Sequence, residues 1–481
     1  MVREAFEHYL SDDRLQGPAP AGSFSGAAGG AACGDLSRIS VRIEDGRIAA
    51  ASFEAEGCGA TRAATAAAAE LVEGAPVLEA ARLSADSLEA ELGGLSPGKR
   101  HAAELAADAL HRALDAAAGS SNSLAVPAQT RVLVAMSGGV DSAVAALLER
   151  ERGADVIAVT VKLWADPETD GSKACCSPEA VRGARSLAHS LDIPHLTLDL
   201  EDQFRHRVVA EFVAGYAAGR TPNPCVLCNG EVRLAAMVAL ADRVGATHLV
   251  TGHYARVVED GAGPLLATAS DPAKDQSYML AALSPAMLRR LRFPLAELTK
   301  PEVRAIAARH GLGVARKPES QDLCFLAGQG KRSFLRRHGG LSDHDGDVLD
   351  PGGRPLGRHR GHHHFTVGQR RGLGVPGPEA LYVLATDPAE NTVTVGPRRQ
   401  LATRRVAIRD AVLYRDGGQV DAVRLRYRSR PIRCRALDAA PGRHRALELR
   451  LGEDMLAAAP GQTAVLMRGD TIVGQGTITK G

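Results

Sequence analysis

At 481 residues the chain exceeds what one hydrophobic core usually organises, so several domains are expected. Its formal charge is only +2, but the charge is segregated: residues 1–120 hold 10 Lys and Arg against 18 Asp and Glu, and residues 121–481 hold 48 against 38. No run of about eighteen apolar residues is present to span a bilayer, the start Met1-Val-Arg-Glu-Ala-Phe-Glu-His lacks the regions of a signal peptide, and eight cysteines in a chain this long do not make a secreted disulfide framework. The expectation is a soluble cytoplasmic protein with no membrane partner, and its basic body is permissive for nucleic acid.

Residues 1–118 read as strands followed by helices: 40–43 and 48–53 alternate, then 60–71 and 101–114 are helix-rich. Residues 119–129, with Gly119-Ser-Ser-Asn-Ser123 and Pro127, have the composition of a flexible linker. From 130 to 330, strands at 132–135, 156–161 and 195–198 alternate with helical stretches at 142–150 and 178–191, which predicts a parallel sheet with ligands outside the strand C-termini. Beyond 331 the character turns to short strands with turns such as Asp350-Pro-Gly-Gly and Asp416-Gly-Gly. The fold class expected is therefore multidomain α/β: an α+β domain, a parallel-sheet domain, a small β-rich domain over 331–398 and a C-terminal β-barrel over 399–481.

The most telling segment is Met136-Ser-Gly-Gly-Val-Asp-Ser142, which follows one predicted strand and opens a helix. Gly138 and Gly139 let backbone approach a phosphate closely, while the amides of the helix start and the hydroxyls of Ser137 and Ser142 point at the anion. The loop lacks the Lys of phosphoryl-transfer ATPases. It resembles the pyrophosphate loop of enzymes that split ATP between the α and β phosphates, which implies adenylation and, on the departing pyrophosphate, Mg²⁺.

Clustered thiols come next: Cys175-Cys176, then Cys225-x-x-Cys228, with Cys324 further on and Cys434 in the β region, where a small apolar filler is the plainer reading. Around them stand Thr221-Pro-Asn-Pro-Cys-Val-Leu-Cys-Asn229, Thr251-Gly-His-Tyr-Ala-Arg256, Lys274-Asp-Gln-Ser-Tyr278, Ser320-Gln-Asp-Leu-Cys-Phe325 and Phe365-Thr-Val-Gly-Gln-Arg-Arg-Gly-Leu-Gly374. With the nucleotide loop first, these segments resemble the tRNA-specific 2-thiouridylases, which replace the C2 oxygen of the wobble uridine by sulfur; the resemblance covers 130–481.

That resemblance implies an ATP pocket lined by Ala135, Met136, Ser137, Gly138, Gly139, Val140, Asp141 and Ser142, with Val161 and Gly252; Val161 stands where the family has Met. Asp141 either positions the metal or caps its helix. Cys324 carries a persulfide and Cys228 attacks, leaving a Cys228–Cys324 disulfide; the sulfur comes from a cysteine desulfurase or a sulfur carrier. Asn223, Pro224 and Cys225 face the extruded uridine, and His253, Lys274, Asp275 and Gln276 contact the tRNA, as do Arg426, Tyr427 and Gln462 in the barrel. The run Arg424-Leu-Arg-Tyr-Arg-Ser-Arg430 would place its guanidiniums on one face of a strand.

Where many relatives have Asp, this chain has Cys225. A second reading thus stays open, in which Cys225, Cys228 and Cys324 ligate a four-iron cluster that holds the transferred sulfide, and Zn²⁺ is a third option that three thiols under-ligate for a closed tetrahedral site. The front segment carries its own resemblance. Ala32-Cys-Gly-Asp35, Glu56-Gly-Cys-Gly59 and Lys99-Arg-His101 look like the iron-sulfur scaffold domains of the NifU/IscU type, with Cys33, Asp35, Cys58 and His101 as ligands for a two-iron cluster or Zn²⁺ and Ala102 where a third cysteine is expected. The competing functional classes are a pyrophosphate-loop ligase acting on a small molecule and a non-enzymatic iron-sulfur scaffold that binds RNA.

Overall fold

The computed structural model describes residues 2–30, 34–166, 177–317, 323–326, 329–377 and 379–480. Its first unit is an antiparallel sheet of β1 (Phe24–Gly29), β2 (Leu36–Glu44) and β3 (Arg47–Glu56), in that order. β2 turns into β3 through Asp45 and Gly46, whose φ angles of 48° and 75° are the pair of left-handed values that a two-residue hairpin needs. The Ala-rich helices Gly59–Val72 and Arg100–Ser120 pack on this sheet and on each other. Small side chains make the contact close: a Cβ on Gly26 of β1 would lie 2.2 Å from the Ala109 carbonyl oxygen.

The connector expected to be flexible is pinned. Leu124 is fully buried, its amide donates to the Arg243 carbonyl at 2.7 Å, and the Ala128 amide donates to the Gly245 carbonyl at 3.0 Å. Gly/Ser composition sets the stiffness of an unattached chain, and a buried leucine with two amide bonds overrides it.

The second unit holds a parallel sheet. β4 (Arg131–Ala135), β5 (Asp155–Lys162) and β6 (His195–Asp199) run outward in one direction, and β7 (His248–Thr251) returns to the other side of β4. The hairpin β8 (Arg256–Asp260) and β9 (Gly263–Ala267) leaves this sheet, and the short β10 (Leu291–Arg292) completes the order β10-β7-β4-β5-β6. The strand order reverses at β4, so a crevice is expected between the carboxyl ends of β4 and β7. The front unit docks against β6: the Thr197 amide donates to Asp115 Oδ1 at 2.6 Å and the His195 amide to the Ala81 carbonyl at 3.3 Å. Arg185, nearly buried, reaches Asp108 at 3.1 Å and Asp115 at 3.2 Å, so the acid-rich front and basic body meet in charge-paired contacts.

The helix Gly330–Gly339 precedes the β region, an element the all-β expectation beyond 331 did not include. The central sheet then has the order β12-β11-β14-β13, with β11 (Gly346–Leu349), β12 (Pro355–His359), β13 (Leu381–Asp387) and β14 (Thr392–Pro397). The last sheet runs β17-β16-β19-β20-β15-β18, from β15 (Ala402–Leu413), β16 (Ala422–Arg424), β17 (Ile432–Arg433), β18 (Gly442–Leu456), β19 (Thr463–Arg468) and β20 (Thr471–Lys480). β9 pairs with β20, which ties the second unit to the last one. Among the described residues one helix, Pro224–Arg243, has the length and mean hydropathy to cross a membrane, though it contains no unbroken run of eighteen apolar residues. Half of it is buried inside the protein, and Glu231 and Arg233 interrupt it.

Candidate active site

The cleft at the β4/β7 reversal is built by backbone first. Gly138 takes φ 66°, and the helix Val140–Glu151 starts at Gly139 with no side-chain cap. The Ser137 amide donates to Ser142 Oγ at 3.2 Å and Ser142 Oγ donates to the Gly139 carbonyl at 3.1 Å, so Ser142 draws the loop into a ring. From the other side comes the turn after β7. A Cβ on Gly252 would stand 2.8 Å from the Asp141 carbonyl carbon and the Ser142 amide nitrogen, so only glycine lets the two loops meet. Between them is a cavity of about 210 Å³, lined by Ala135, Met136, Ser137, Asp141, Ser142, Val161 and Gly252 of the expected set. Gly138, Gly139 and Val140 form the loop and helix start but are not among the lining residues.

Asp141 neither caps its helix nor stands free for a metal. Lys300 Nζ donates to both its oxygens, at 2.6 and 2.7 Å, and the Tyr254 hydroxyl donates to Oδ1 at 2.8 Å. A carboxylate so engaged has little left for a cation. Lys317 Nζ donates to the Gly138 carbonyl at 2.9 Å, placing another cation at the loop.

His253 and Gln276, expected at the RNA, line this same cavity. His253 is half-buried, with Nδ1 2.7 Å from Thr251 Oγ1 and Nε2 accepting from Arg233 Nη2 at 3.0 Å. Burial first, and then the Arg233 charge, hold it at about 3, so it stays neutral at physiological pH. Arg233 also donates to Asn229 Oδ1 at 2.5 Å, and its Nε is buried with no hydrogen-bond partner. Its hydrogen-bond partners among the described residues are neutral, which leaves a cation in the cavity wall suited to an anionic ligand. Sequence reading missed Arg233, Lys300 and Lys317; the only signal was that Arg233 lies five residues after Cys228 on one helix.

That helix begins at Asn223, whose Oδ1 accepts from the Val226 amide at 3.3 Å, with Pro224 in its first turn. Cys228–Arg233 is a π-helical turn, and such insertions re-aim side chains at functional positions. Cys228 is buried and Cys225 half-buried. Burial first, then neighbouring Cys228, push the Cys225 thiol up to about 11, with Arg233 opposing. For Cys225 desolvation outweighs the guanidinium. Cys324 is half-buried on the core that includes Cys228, and next to it Phe325 packs against Phe204, Phe212 and Phe334 with ring centroids 5.7, 5.0 and 4.9 Å apart. Cys225, Cys228 and Cys324 are not among the described residue groups close enough to share one metal ion. A four-iron cluster spreads its thiolates farther apart than one ion does, so this bears on zinc and leaves the cluster reading open.

The expected RNA-contacting residues divide. Asn223 and Pro224 line a second cavity of about 840 Å³ between the second unit and the last sheet, together with Arg207, Arg220, Arg409 and Arg443. Asp275 is turned inward, accepting from the Ala269 and Ser277 amides, Ser277 Oγ and Arg424 Nη1, the last at 2.8 Å. Lys274 precedes it in the same turn. Gln462 Nε2 donates to the Thr221 carbonyl at 2.7 Å and latches the barrel to the segment before Asn223. Tyr427 lies against Tyr278 at 6.1 Å.

The Arg424–Arg430 stripe is not a one-faced strand. β16 ends at Arg424, and Arg428 has φ 60°. Arg426 donates to the Leu456 carbonyl at 3.1 Å and to the Ala457 carbonyl, while Arg430 reaches Glu453 at 2.8 Å. A left-handed residue breaks the alternation that the sequence suggested, and the guanidiniums go separate ways.

In the front unit, Asp35, Cys58 and His101 come together, with one ligand atom of each within 4.8 Å of the others. His101 Nε2 and Asp35 Oδ2 are 2.8 Å apart, and the Cys58 amide and Thr61 hydroxyl each donate to Asp35 at 2.9 Å. The His101 bond first, then the Cys58 amide, hold the Asp35 carboxyl down at about 2. A thiol, an imidazole and a carboxylate fit Zn²⁺ or an iron-sulfur cluster by donor type. Cys33 lies outside the described residues, as do Cys175 and Cys176, and Ala102 is fully buried. Cys434 packs half-buried beside the barrel core, as a filler would.

Four family models match the chain: NifU-like N terminal domain over 3–122, tRNA methyl transferase HUP domain over 130–328, tRNA methyl transferase PRC-barrel domain over 332–397 and aminomethyltransferase beta-barrel domain over 415–478. Over 485 residues the chain is 46% identical to the "Bifunctional protein NifU/MnmA" of Rubrobacter xylanophilus, spanning 98% of this chain and 97% of that one. It is 43% identical to the "tRNA-specific 2-thiouridylase MnmA" of Acidithiobacillus ferrooxidans, over 73% of this chain and 99% of that one. Against the protein of the same description from Xanthobacter autotrophicus it is 44% identical, over 71% and 89%.

Proposed function

Because this chain belongs to the family of bifunctional NifU/MnmA proteins, tRNA sulfurtransferases with a NifU-like front domain, we propose that it adenylates the C2 oxygen of the tRNA wobble uridine with ATP and replaces it by sulfur through its cysteines. The observation that carries this reading is one helix joining two chemistries: Pro224–Arg243 supplies Arg233 to the wall of the nucleotide cavity and, one turn earlier, Cys228. The uracil C2 oxygen is a poor leaving group. Its attack on the α-phosphorus of ATP releases pyrophosphate and turns it into AMP, a good one.

On the persulfide route, a desulfurase or sulfur carrier charges Cys324 with one sulfane sulfur. Cys228 thiolate attacks Cys324 Sγ, and the terminal sulfur leaves as sulfide with both electrons of the broken S–S bond. Sulfide adds to C2, AMP departs, and the Cys228–Cys324 disulfide left behind is reduced by an external thiol before the next turnover. In this scheme Ser137, Ser142 and Arg233 hold phosphate oxygens, Gly252 keeps the loops in contact, and Lys300 orients Asp141. Asn223 and Pro224, at the larger cavity, stand where an extruded uridine would enter. The front unit, through Asp35, Cys58 and His101, would hold a metal or cluster and supply sulfur chemistry at high local concentration.

The test is product analysis with the full chain, tRNA and sulfide. AMP, pyrophosphate and 2-thiouridine are expected in equal amounts, and ADP with phosphate as products would exclude the assignment.

A further inference from the structure

Away from both thiol sites, one buried set of side chains has nitrogens without partners. Past the helix Gly330–Gly339 the chain reaches Asp343, and past β12 it makes the short turn His362–His364. Of these three histidines the first is fully engaged, with Nδ1 3.2 Å from Asn391 Oδ1 and Nε2 3.1 Å from the Ala217 carbonyl. The other two are not. His363 and His364 are 5% and 6% exposed, and His363 Nε2 and His364 Nδ1 are buried with no hydrogen-bond partner. Leaving such atoms unsatisfied is costly, and two neighbours in one turn rarely bear it without a use.

One nitrogen from each of these rings and a carboxylate oxygen of Asp343 all lie within 4.8 Å of one another. His364 Nε2 and Asp343 Oδ1 are already 2.8 Å apart. The ring of His363 lies over Gly361, where φ is 128° and a Cβ would stand 2.4 Å from His363 Cε1, so only glycine leaves room for that ring. The ordinary use of a buried histidine is to pack and to satisfy its nitrogens locally.

We propose that Asp343, His363 and His364 bind one divalent transition-metal ion of the Zn²⁺ class. Two imidazoles and a carboxylate suit Zn²⁺, Co²⁺ or Ni²⁺ better than Mg²⁺ or Ca²⁺, and three protein ligands leave one position for water. Lys331, whose Nζ donates to the His364 carbonyl at 3.4 Å, stands beside the set, so the Asp343 carboxylate is needed to offset its charge. The ion ties the far end of the helix Gly330–Gly339 to the central sheet. Phe334 of that helix packs on Phe325, next to Cys324, so occupancy of the metal site bears on how firmly the segment carrying this thiol is held.

The experiment uses the full chain, stripped with chelator, and Zn²⁺ alone in equilibrium dialysis, with Co²⁺ absorption alongside. Wild type should take up one more Zn²⁺ than the variant carrying His363→Ala and His364→Ala. Asp343→Asn should weaken that one site at least about tenfold, and Co²⁺ lost with these variants should account for ligand-field bands without thiolate charge transfer. Equal Zn²⁺ uptake and affinity in all three proteins would overturn the proposal. Should the double variant fail to fold, Asp343→Asn decides alone, since that side chain is 49% exposed and its replacement leaves packing intact; unchanged affinity in it overturns the site.

Discussion

Cys58 and Cys225 are both half-buried thiols at the start of a helix, yet their surroundings act in opposite directions. At Cys58 burial pushes the thiol up, but hydrogen bonding to Thr61, Lys99 and nearby backbone outweighs it and the net shift is downward. At Cys225 burial is larger, the neighbouring Cys228 adds to it, and Arg233 does not offset the two. The front site thus holds a thiol drawn downward, beside a carboxylate and an imidazole. The second site keeps Cys225 protonated at neutral pH. A thiol of that kind is protected from stray oxidants and metals and becomes a nucleophile only when charge or bound substrate changes its surroundings.

The largest effect that would test this division is on turnover. Cys228→Ala should lower 2-thiouridine formation on the order of 10³-fold or more, read by mass spectrometry of digested tRNA, while Cys225→Ala leaves it nearly unchanged if the persulfide route operates. Loss of activity in both, together with loss of iron-sulfur absorption in a Cys58→Ala background, would shift the reading to a three-thiolate cluster. Next in size is chemical reactivity. With Cys225 pushed up to about 11, Cys58 should be alkylated by iodoacetamide at pH 7.5 on the order of a hundredfold faster. Equal rates by peptide mapping would break the contrast.

The smallest effect concerns Asp35. Its folded value of about 2 lies below that of an unfolded aspartate, near 3.9, so the stability it adds is fully present above about pH 4 and is lost as pH falls through about 2. The gap in urea midpoint between wild type and Asp35→Asn should therefore be constant from pH 5 to 7 and narrow below pH 4. A gap that widens on acidification would mean that the His101 contact does not hold this carboxylate.

How much of this could be read in the sequence depended on range. The nucleotide loop was legible because glycine and serine at fixed offsets after a strand have backbone reasons to be there, and Gly252 follows from the same close approach. Lys300 was not, since it meets Asp141 from 159 residues away along the chain and nothing local marks it. Arg424–Arg430 shows the reverse failure. A period of two suggested a strand, but Asp275 claims Arg424, two carbonyls claim Arg426 and a left-handed Arg428 ends the regularity. The connector misled in a third way, because composition carries no information about the groove that Leu124 fills. The Asp35, Cys58 and His101 set was legible in full apart from Cys33, and it is local in another sense: all three side chains hang on one sheet and the two helices that cover it.

The contacts between the front unit and β6 have a consequence for how the molecule behaves among copies of itself. β6 is the outermost strand of its sheet, and an outermost strand offers unpaired amides and carbonyls as a template on which another chain can add a strand. Here the amides of His195 and Thr197 are already taken by Ala81 and Asp115. The front unit thus serves as a stopper against intermolecular strand addition, and a shortened protein lacking it would expose this border together with the guanidinium of Arg185, with self-association as the physical result.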